Sequence, residues 1–223
     1  TNEIEQLLHS HGLHSGVSIR ISVPGGSELA QKTFNPRLGI IGGISIIGTS
    51  GIVRPFSSEA FVNSIRKEIQ VARALGCTRI VINSGAKSEN YLRSRFPDLP
   101  AQAFIHYGNY IGDTLRLADE EGITHITMGI MIGKAVKLAE GHLDTHSRNV
   151  VMNRDFITSL AAESHCHPAN IARVAEITLA RELWELFTDT PAFFTLLVDR
   201  CMTVCRPLLS HATLEIMLVP EQA

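Results

Sequence analysis

The chain has 223 residues, 44% of them hydrophobic, and its 20 basic and 22 acidic side chains leave a formal net charge of −2. This length is sufficient to bury a sizeable core. The sequence carries no basic stripe of the kind that nucleic-acid binders use, and its apolar runs are interrupted well short of a membrane span. The four cysteines show no CxxC spacing. Reduced thiols and a cytoplasmic location are therefore expected, with neither nucleic acid nor membrane as a partner.

The first part of the chain predicts two strands before its first long helix. Residues 17–23 (VSIRISV) place apolar side chains at alternate positions, and residues 38–41 predict a short buried strand. Residues 57–75 follow helical spacing, and Ser57 and Gly76 are suited to cap the two ends. Strands at 79–82, 103–106 and 123–128 then alternate with helices at 91–96, 110–121 and 133–140. Such alternation is typical of a parallel sheet with helices on both faces.

The C-terminal part has a different pattern. Residues 153–163, 168–187 and 191–205 predict helices, and residues 214–219 (LEIMLV) predict a returning strand. The expected fold is α/β, a three-layer Rossmann-like domain with a mainly parallel sheet and additional C-terminal helices. We expect a single domain over residues 1–223, with a Rossmann-like core at about 17–150 and a helical part at about 151–223.

A glycine-rich run, GIIGGISIIGTSGIVRP, occupies residues 39–55 and holds five glycines between Gly39 and Gly51. Glycine weakens a strand, but it lets a ligand approach the main chain closely. In open parallel sheets, ligands lie at the carboxyl ends of strands, against the N-terminus of a helix. A tight apolar turn without a ligand is the alternative, although five glycines exceed what a turn requires.

Known phosphate-binding signatures do not explain this run. The GxGxxG fingerprint is absent, and Asn83 stands where an NAD enzyme often has an acidic residue. Residues 129–135 are one residue short of a P-loop, and Ala135 replaces the Ser or Thr that would hold magnesium. A nucleoside cofactor without a polyphosphate, such as S-adenosylmethionine, is compatible with a loop that lacks both signatures. An NAD-dependent oxidoreductase remains a weaker alternative.

A second polar cluster lies in the segment GKAVKLAEGHLDTHSRNVVMNR, residues 133–154. Lys134 and Lys137 are three residues apart and share a helix face, where cations can bind carboxylates. Asp144 beside two histidines could orient an imidazole for acid–base chemistry. For the lysines alone, a solvated helix end is the simpler explanation. The combination of His142, Asp144, Thr145 and His146 within five residues favours a site.

Two of these segments carry a resemblance to a known family. The run TFNPRLGIIGGISIIGTSGIVRP (33–55), together with GKAVKLAEGHLDTHSR (133–148), resembles the CbiD family. The resemblance extends from about residue 17 through the 150s and more loosely beyond. It implies a cytoplasmic methyltransferase of anaerobic cobalamin biosynthesis. The reaction would transfer the methyl group of S-adenosyl-L-methionine to carbon 1 of the corrinoid cobalt-precorrin-5B and yield cobalt-precorrin-6A.

The chemistry implied by this resemblance assigns candidate roles to residues of both motifs. No protein metal site is expected, because the cobalt arrives with the substrate. The candidate cofactor-binding residues are Gly42, Gly43, Ser45, Gly48, Thr49 and Gly51. The candidate substrate-binding residues, mostly suited to the many carboxylates of a precorrin, are Arg54, Asp113, Lys134, Lys137, Thr145 and Arg148. The candidate catalytic residues are His142, Asp144 and His146. Asp113 is expected near the same crevice, and Asn109 could serve there or cap the following helix.

The sequence also departs from the family pattern. Residues 83–89 (NSGAKSE) retain only the glycine and the glutamate of a V/T-P-G-N-x-G-E-like stretch, and GIMIGK has Met131 near a position usually held by His or Tyr. The K-G-[FY]-T-T-G-x-C motif of an N-terminal domain does not occur. The chain therefore resembles the C-terminal portion of the family and is expected to need that domain for turnover. A non-catalytic tetrapyrrole- or nucleotide-binding module is the alternative function. Oligomeric state, including a homo-oligomer, remains open.

Two further groups of residues suggest chemistry but are better explained by structure. The triplet His165-Cys166-His167 has no partner pair at metal-ligand spacing, so a helix-linking turn before Pro168 is expected. Cys201 and Cys205 are one helical turn apart, and core packing is expected for both.

Overall fold

The structure is a computed structural model that describes residues 2–14, 16–18, 20–33, 35–45, 57–147 and 150–220. By its internal contacts the chain divides into two compact units, Thr1–Ile46 and Ile47–Ala223. The expectation of a single domain over the whole chain stays a prediction.

The first unit is helical where it is regular. It contains helix α1 (Asn2–Ser10), helix α2 (Gly26–Ala30) and a 3-10 turn at Asn35–Leu38. The two strands predicted here are wrong for the described residues. Residues 17–18 and 20–23 are irregular with Ile21 exposed, and Gly39 turns the chain with a φ of 74° so that Ile41 is 92% exposed. An alternating pattern forms a strand only beside a partner, and the described part of this unit contains none.

The second unit alternates strands and helices as the sequence predicts. After helix α3 (Ser58–Ala74) the chain forms β1 (Arg79–Asn83), α4 (Ala86–Arg95), β2 (Phe104–His106), α5 (Ile111–Glu120), β3 (His125–Met131) and α6 (Ile132–Ala139). The remaining elements are α7 (Arg154–Glu163), α8 (Pro168–Arg173), α9 (Leu183–Leu186), α10 (Pro191–Cys205) and β4 (Thr213–Val219).

The four strands form one parallel sheet in the order β2-β1-β3-β4. Alternate residues of β1 enter two separate cores. Ile80 and Ile82 belong to the larger core, whereas Val81 packs with Leu92 and Phe104 in a smaller one. The larger core includes residues of α3, α5, α6, α7 and α10, and the smaller core includes residues of α4. Helices therefore cover both faces, and the predicted three-layer α/β architecture is confirmed.

Local chemistry explains most of the helix boundaries. The Ser57 hydroxyl accepts a hydrogen bond from the Ala60 N–H at 3.2 Å, and Gly76 adopts a φ of 82° just beyond α3. The helix predicted over 168–187 is wrong in its middle. The Glu182 carboxylate accepts hydrogen bonds from the backbone N–H groups of Thr178 and Leu179, which starts a new helical turn at Ala180–Glu182.

The C-terminal residues complete the core of the second unit. The predicted strand is confirmed, since β4 pairs with β3 along its whole length. Cys201 is fully buried and its Sγ contacts the Ala135 carbonyl at 3.2 Å, while burial raises the pKa of the Cys205 thiol to about 12. Both cysteines therefore have the packing role that was predicted. His167 accepts a hydrogen bond from the Ala169 N–H at the start of α8, which confirms the helix-linking turn.

Candidate functional site

A cavity of about 570 Å³ opens at the carboxyl edge of the sheet. The chain passes from β1 to β2 on one side and from β3 to β4 on the other, so the crevice beyond β1 and β3 is the topological switch point where such sheets bind ligands. The loops after β1, β2 and β3 all contribute to the cavity wall. The lining residues are Ser57, Ser58, Phe61, Ser84, His106, Gly108, Asn109, Tyr110, Lys134, Asp144 and His146.

The ammonium group of Lys134 connects several residues of this wall by hydrogen bonds. Its Nζ donates hydrogen bonds to the Gly108 carbonyl at 2.8 Å, to the Thr145 hydroxyl at 3.3 Å and to Oδ1 of Asn109. The pKa of this ammonium group is lowered to about 8, first by burial and then by nearby Lys137, while Asp144 opposes the change. Lys134 thus connects the start of α6 to the loop after β2 and to the polar segment after α6.

Residues 144–146 form one side of the cavity. Asp144 makes an antiparallel backbone bridge with Tyr110, and the Thr145 N–H donates to the Asn109 carbonyl at 3.1 Å. Oδ1 of Asp144 accepts the His146 N–H at 3.0 Å. Behind this segment, the Lys137 Nζ donates to the carbonyl of the buried Thr145 at 3.3 Å. The main chain of the segment is therefore held at three successive residues.

His106 lies at the carboxyl end of β2, and its tautomer is set by its surroundings. Its Nε2 is 2.7 Å from the Ser84 carbonyl oxygen. Because a carbonyl oxygen can only accept, Nε2 carries the proton, and Nδ1 is the acceptor nitrogen in the neutral ring. The His106 backbone N–H donates to the Glu68 carboxylate at 3.1 Å. Strand β2 thus presents an oriented imidazole to the cavity.

The start of α3 forms the aromatic side of the cavity. The rings of Phe61 and Tyr110 lie with centroids 5.4 Å apart, and the Tyr110 hydroxyl donates to the Ser58 hydroxyl at 2.8 Å. Gly108 has a φ of 59°, and a Cβ placed there would come within 2.9 Å of the Phe61 ring. Glycine is therefore required at this turn both by its backbone conformation and by the ring above it.

The predicted site residues of the second motif are partly brought together. Lys134, Asp144 and His146 line the cavity. Thr145 and Lys137 lie directly behind them. His142 does not line it; its Nε2 is 4.0 Å from a carboxylate oxygen of Glu140.

Asp113 also lies away from the cavity lining. Its half-exposed carboxylate is 3.7 Å from a guanidinium nitrogen of Arg116, one turn further along α5. Of the two alternatives for Asn109, the structure supports the crevice: Asn109 lines the cavity and its side chain binds Lys134, whereas Tyr110 occupies the N-cap position of α5. The residues that sequence reasoning missed are Ser57, Ser58, Phe61, Ser84, His106 and Tyr110. The available signal for Ser84 and His106 was their position at the end of a predicted parallel strand.

The first motif is only partly described. Gly42, Gly43 and Ser45 belong to the first unit, where Asn35 donates from Nδ2 to the Gly43 carbonyl at 2.9 Å and accepts from the Ser45 hydroxyl at 3.1 Å. Gly42 has a φ of 85°. The predicted ligand residues Gly48, Thr49, Gly51, Arg54 and Arg148 lie outside the described residues.

Neither a metal-binding cluster nor a membrane-spanning helix is found within the described ranges. In that part of the chain, no three His, Cys, Asp or Glu side chains are grouped so that they could hold a metal ion. No helix among the described residues is both long and apolar enough to cross a membrane.

The fold and the cavity define an α/β protein with a cavity at the switch point of a parallel sheet, where proteins of this architecture commonly bind small molecules. Two family models match the chain: CbiD over residues 1–55, and the CbiD C-terminal domain over residues 144–222. Together they match more than half of the chain, and the sequence resemblance to this family is confirmed. The chain belongs to the CbiD family.

Curated relatives support the same assignment. A protein of Prosthecochloris aestuarii is 43% identical over 97% of this chain and 59% of its own length. A Geobacillus kaustophilus protein is 41% identical over 93% of the chain and 56% of its own length, and one from Thermus thermophilus is 39% identical over 76% and 46%. All three are named cobalt-precorrin-5B C(1)-methyltransferase. The chain therefore spans about half the length of these curated relatives. No solved structure matches it.

Proposed function

We propose that this chain is the part of a cobalt-precorrin-5B C(1)-methyltransferase that brings methyl donor and corrinoid together. The observation that carries the proposal is the meeting of Lys134, Asp144 and His146 in one cavity at the carboxyl edge of the sheet. These three residues belong to the motif that carries the family resemblance. The cavity volume lies within the roughly 300 to 1,000 Å³ that is usual for small-molecule sites.

The proposed donor is S-adenosyl-L-methionine. In this reaction the ring carbon supplies the electron pair of the new C–C bond. The electrons of the broken S–CH₃ bond stay on sulfur, and S-adenosylhomocysteine leaves as a neutral thioether. A proton is lost to balance the charge. The protein's main contribution is to align the ring carbon with the methyl group and to exclude water.

The proposed acid–base roles are supported by the cavity lining, and the proposed substrate roles rest on the sequence motifs. His146 and Asp144 line the cavity, and His142 lies on the same connection after α6. We propose that a histidine of this connection takes up the proton released on methylation. Lys137, Arg148 and Arg54 are the proposed partners for the carboxylates of the corrinoid, with Asp113 and Thr145 as further substrate contacts.

The first test is a calorimetric titration of the chain with S-adenosylhomocysteine, with NAD as control. We expect saturable binding of S-adenosylhomocysteine alone. The second test incubates the chain with cobalt-precorrin-5B and methyl-labelled donor and follows transfer of the label to the corrinoid. Binding of NAD in place of S-adenosylhomocysteine, or of neither, would contradict the proposed donor.

A further inference from the structure

The cavity is poorly equipped to bind carboxylates. Among the described residues that line it, Lys134 is the one lysine or arginine. A lysine ammonium has three N–H donors, and Lys134 directs its donors to Gly108, Asn109 and Thr145. The carboxylate of Asp144 lies in the same wall and repels anions. Among the described residues of this wall, a corrinoid with many carboxylates therefore finds no uncommitted lysine or arginine to bind.

The same cavity has an aromatic side suited to a planar base. Phe61 and Tyr110 both line it, and their rings lie 5.4 Å apart at an angle of 38°. Tyr110 is held in place by its hydrogen bond to Ser58, and Phe61 covers Gly108. Aromatic side chains bind nucleobases by stacking, whatever the base, because each base has a π-face.

Polar groups in the same cavity suit a ribose. Asp144 is fixed by its backbone bridge to Tyr110 and by the N–H of His146. A carboxylate has two oxygens that can accept several hydrogen bonds, and carboxylates of α/β proteins commonly accept from ribose hydroxyls. The Asp144 carboxylate also lies beside the Lys134 ammonium group in this wall, so the two described charges offset each other and the wall does not select for an anion. The hydroxyls of Ser57 and Ser84 add neutral partners.

We infer that this cavity binds the adenosine portion of the methyl donor, with the base against Phe61 and Tyr110 and the ribose hydroxyls on Asp144. The corrinoid carboxylates then bind elsewhere, and Lys134 positions the wall instead of binding substrate. The inference rests on the proposed function, which it deepens by assigning one ligand to this cavity.

The test compares three probes on the 223-residue chain by calorimetry: adenosine, 2′-deoxyadenosine and uroporphyrin, a polycarboxylate tetrapyrrole. We expect adenosine to compete with S-adenosylhomocysteine and uroporphyrin not to compete. Asp144→Asn should weaken adenosine binding at least tenfold and leave 2′-deoxyadenosine nearly unaffected, because the lost contact is to a ribose hydroxyl. Phe61→Leu should weaken both nucleosides. Asp98→Asn, a change on an exposed loop outside the cavity, is the matched control.

The outcomes separate the inference from the proposed function. If S-adenosylhomocysteine binds equally to the wild type, Asp144→Asn and Phe61→Leu, the cavity assignment is wrong and the proposed function stands. Competition by uroporphyrin also overturns the assignment. If the wild type binds neither S-adenosylhomocysteine nor adenosine, both fall. Should Phe61→Leu fail to fold, as judged by circular dichroism, the comparison of the two nucleosides on Asp144→Asn still decides.

Discussion

The Nζ of Lys134 donates a hydrogen bond to Oδ1 of Asn109 and thereby joins the first turn of α6 to the loop after β2. The same ammonium group also reaches the Thr145 hydroxyl. One side chain of the family motif thus binds both the loop after β2 and the segment after α6, and fixes their relative position in the cavity wall. Its depressed pKa follows from the burial that this position requires.

Lys134 should give the chain a measurable pH dependence of stability. Its pKa is about 8 in the folded chain and near 10.5 when unfolded, so the folded state binds fewer protons between these values. Stability should therefore rise with pH across this interval in the wild type. The rise should be smaller in Lys134→Met. Urea unfolding at pH 7.5 and pH 10 measures the difference.

The matched control for this prediction is Lys67→Met. Lys67 is exposed on α3, where its Nζ contacts only the side chain of Gln70 among the hydrogen bonds resolved for it. The stability of Lys67→Met should show the same pH dependence as that of the wild type. Equal slopes in Lys134→Met and the wild type would show that Lys134 titrates normally in the folded chain.

Asn83 should not tolerate an acidic residue. Its Nδ2 donates to the Ile105 carbonyl at 3.1 Å, its Oδ1 accepts from the Gly85 N–H at 3.2 Å, and it is fully buried. Asn83→Asp removes the donor and places a buried charge against a carbonyl oxygen. We expect a loss of about 3 kcal/mol in the free energy of unfolding at pH 7. Urea unfolding measures it, and Asn90→Asp on the exposed side of α4 should change stability by less than about 0.5 kcal/mol.

Gly129 in β3 should resist substitution for a packing reason. A Cβ at this position would lie 2.9 Å from both Cγ and Cδ2 of Leu92, a fully buried residue of α4. Gly129→Ala should cost about 1–3 kcal/mol in thermal or urea unfolding. Combining it with Leu92→Ala should cost less than the sum of the two single changes, because the clash is removed. Gly16→Ala, where nothing lies within 4 Å of the added carbon, is the control.

Asp119 should stabilise the chain in a pH-dependent way. Burial alone would raise the pKa of its carboxyl group, but the backbone N–H groups of Ala212, His211 and Ser210, at 2.8 to 2.9 Å, bring the pKa below its ordinary value. The stabilisation is present at neutral pH and is lost as the pH falls through the folded-state pKa. Asp119→Asn should therefore be about 1–2 kcal/mol less stable at pH 7.

The difference caused by Asp119→Asn should vanish at acidic pH, where the wild-type carboxyl group is protonated. Urea unfolding at pH 7 and pH 3 tests this. A difference that is the same at both pH values would mean that the carboxylate charge contributes nothing, and that the substitution acts through shape alone.

The glycine run can be tested at a position that the fold leaves open. A Cβ on Gly43 would meet nothing within 4 Å, and its φ is not in the left-handed region. Gly43→Val should therefore leave thermal stability unchanged and weaken S-adenosylhomocysteine binding if the cofactor approaches this backbone. Gly42 is less informative, because its φ of 85° strains any replacement. Unchanged affinity in Gly43→Val would exclude Gly43 from the cofactor site.

Sequence alone determined most of the regular elements of the second unit, with the interrupted helix at 168–187 as an exception. Helix α3 was predictable because its signals are local: apolar residues at helical spacing, Ser57 at one end and Gly76 at the other. The strands β1, β3 and β4 were predictable because they are apolar runs between turn residues, and their alternation with helices indicated the parallel sheet. Lys134, Asp144 and His146 were predicted because three polar groups stand close together in one motif. The family resemblance was likewise present in the linear sequence.

Tertiary structure decided the rest. The described residues of the alternating segment 17–23 form no strand, because a pattern requires a partner and a face to bury, and neither is encoded locally. Phe61 lies on α3 and His106 ends β2. Their rings meet in the cavity only because α3 packs against β2 and α5 in the folded chain. The sequence also indicated Lys134 as a carboxylate ligand, whereas the fold directs its ammonium group to three protein oxygens. Charge and spacing can be recognised in a linear sequence, but the partners of a buried charge are chosen only when distant segments pack around it.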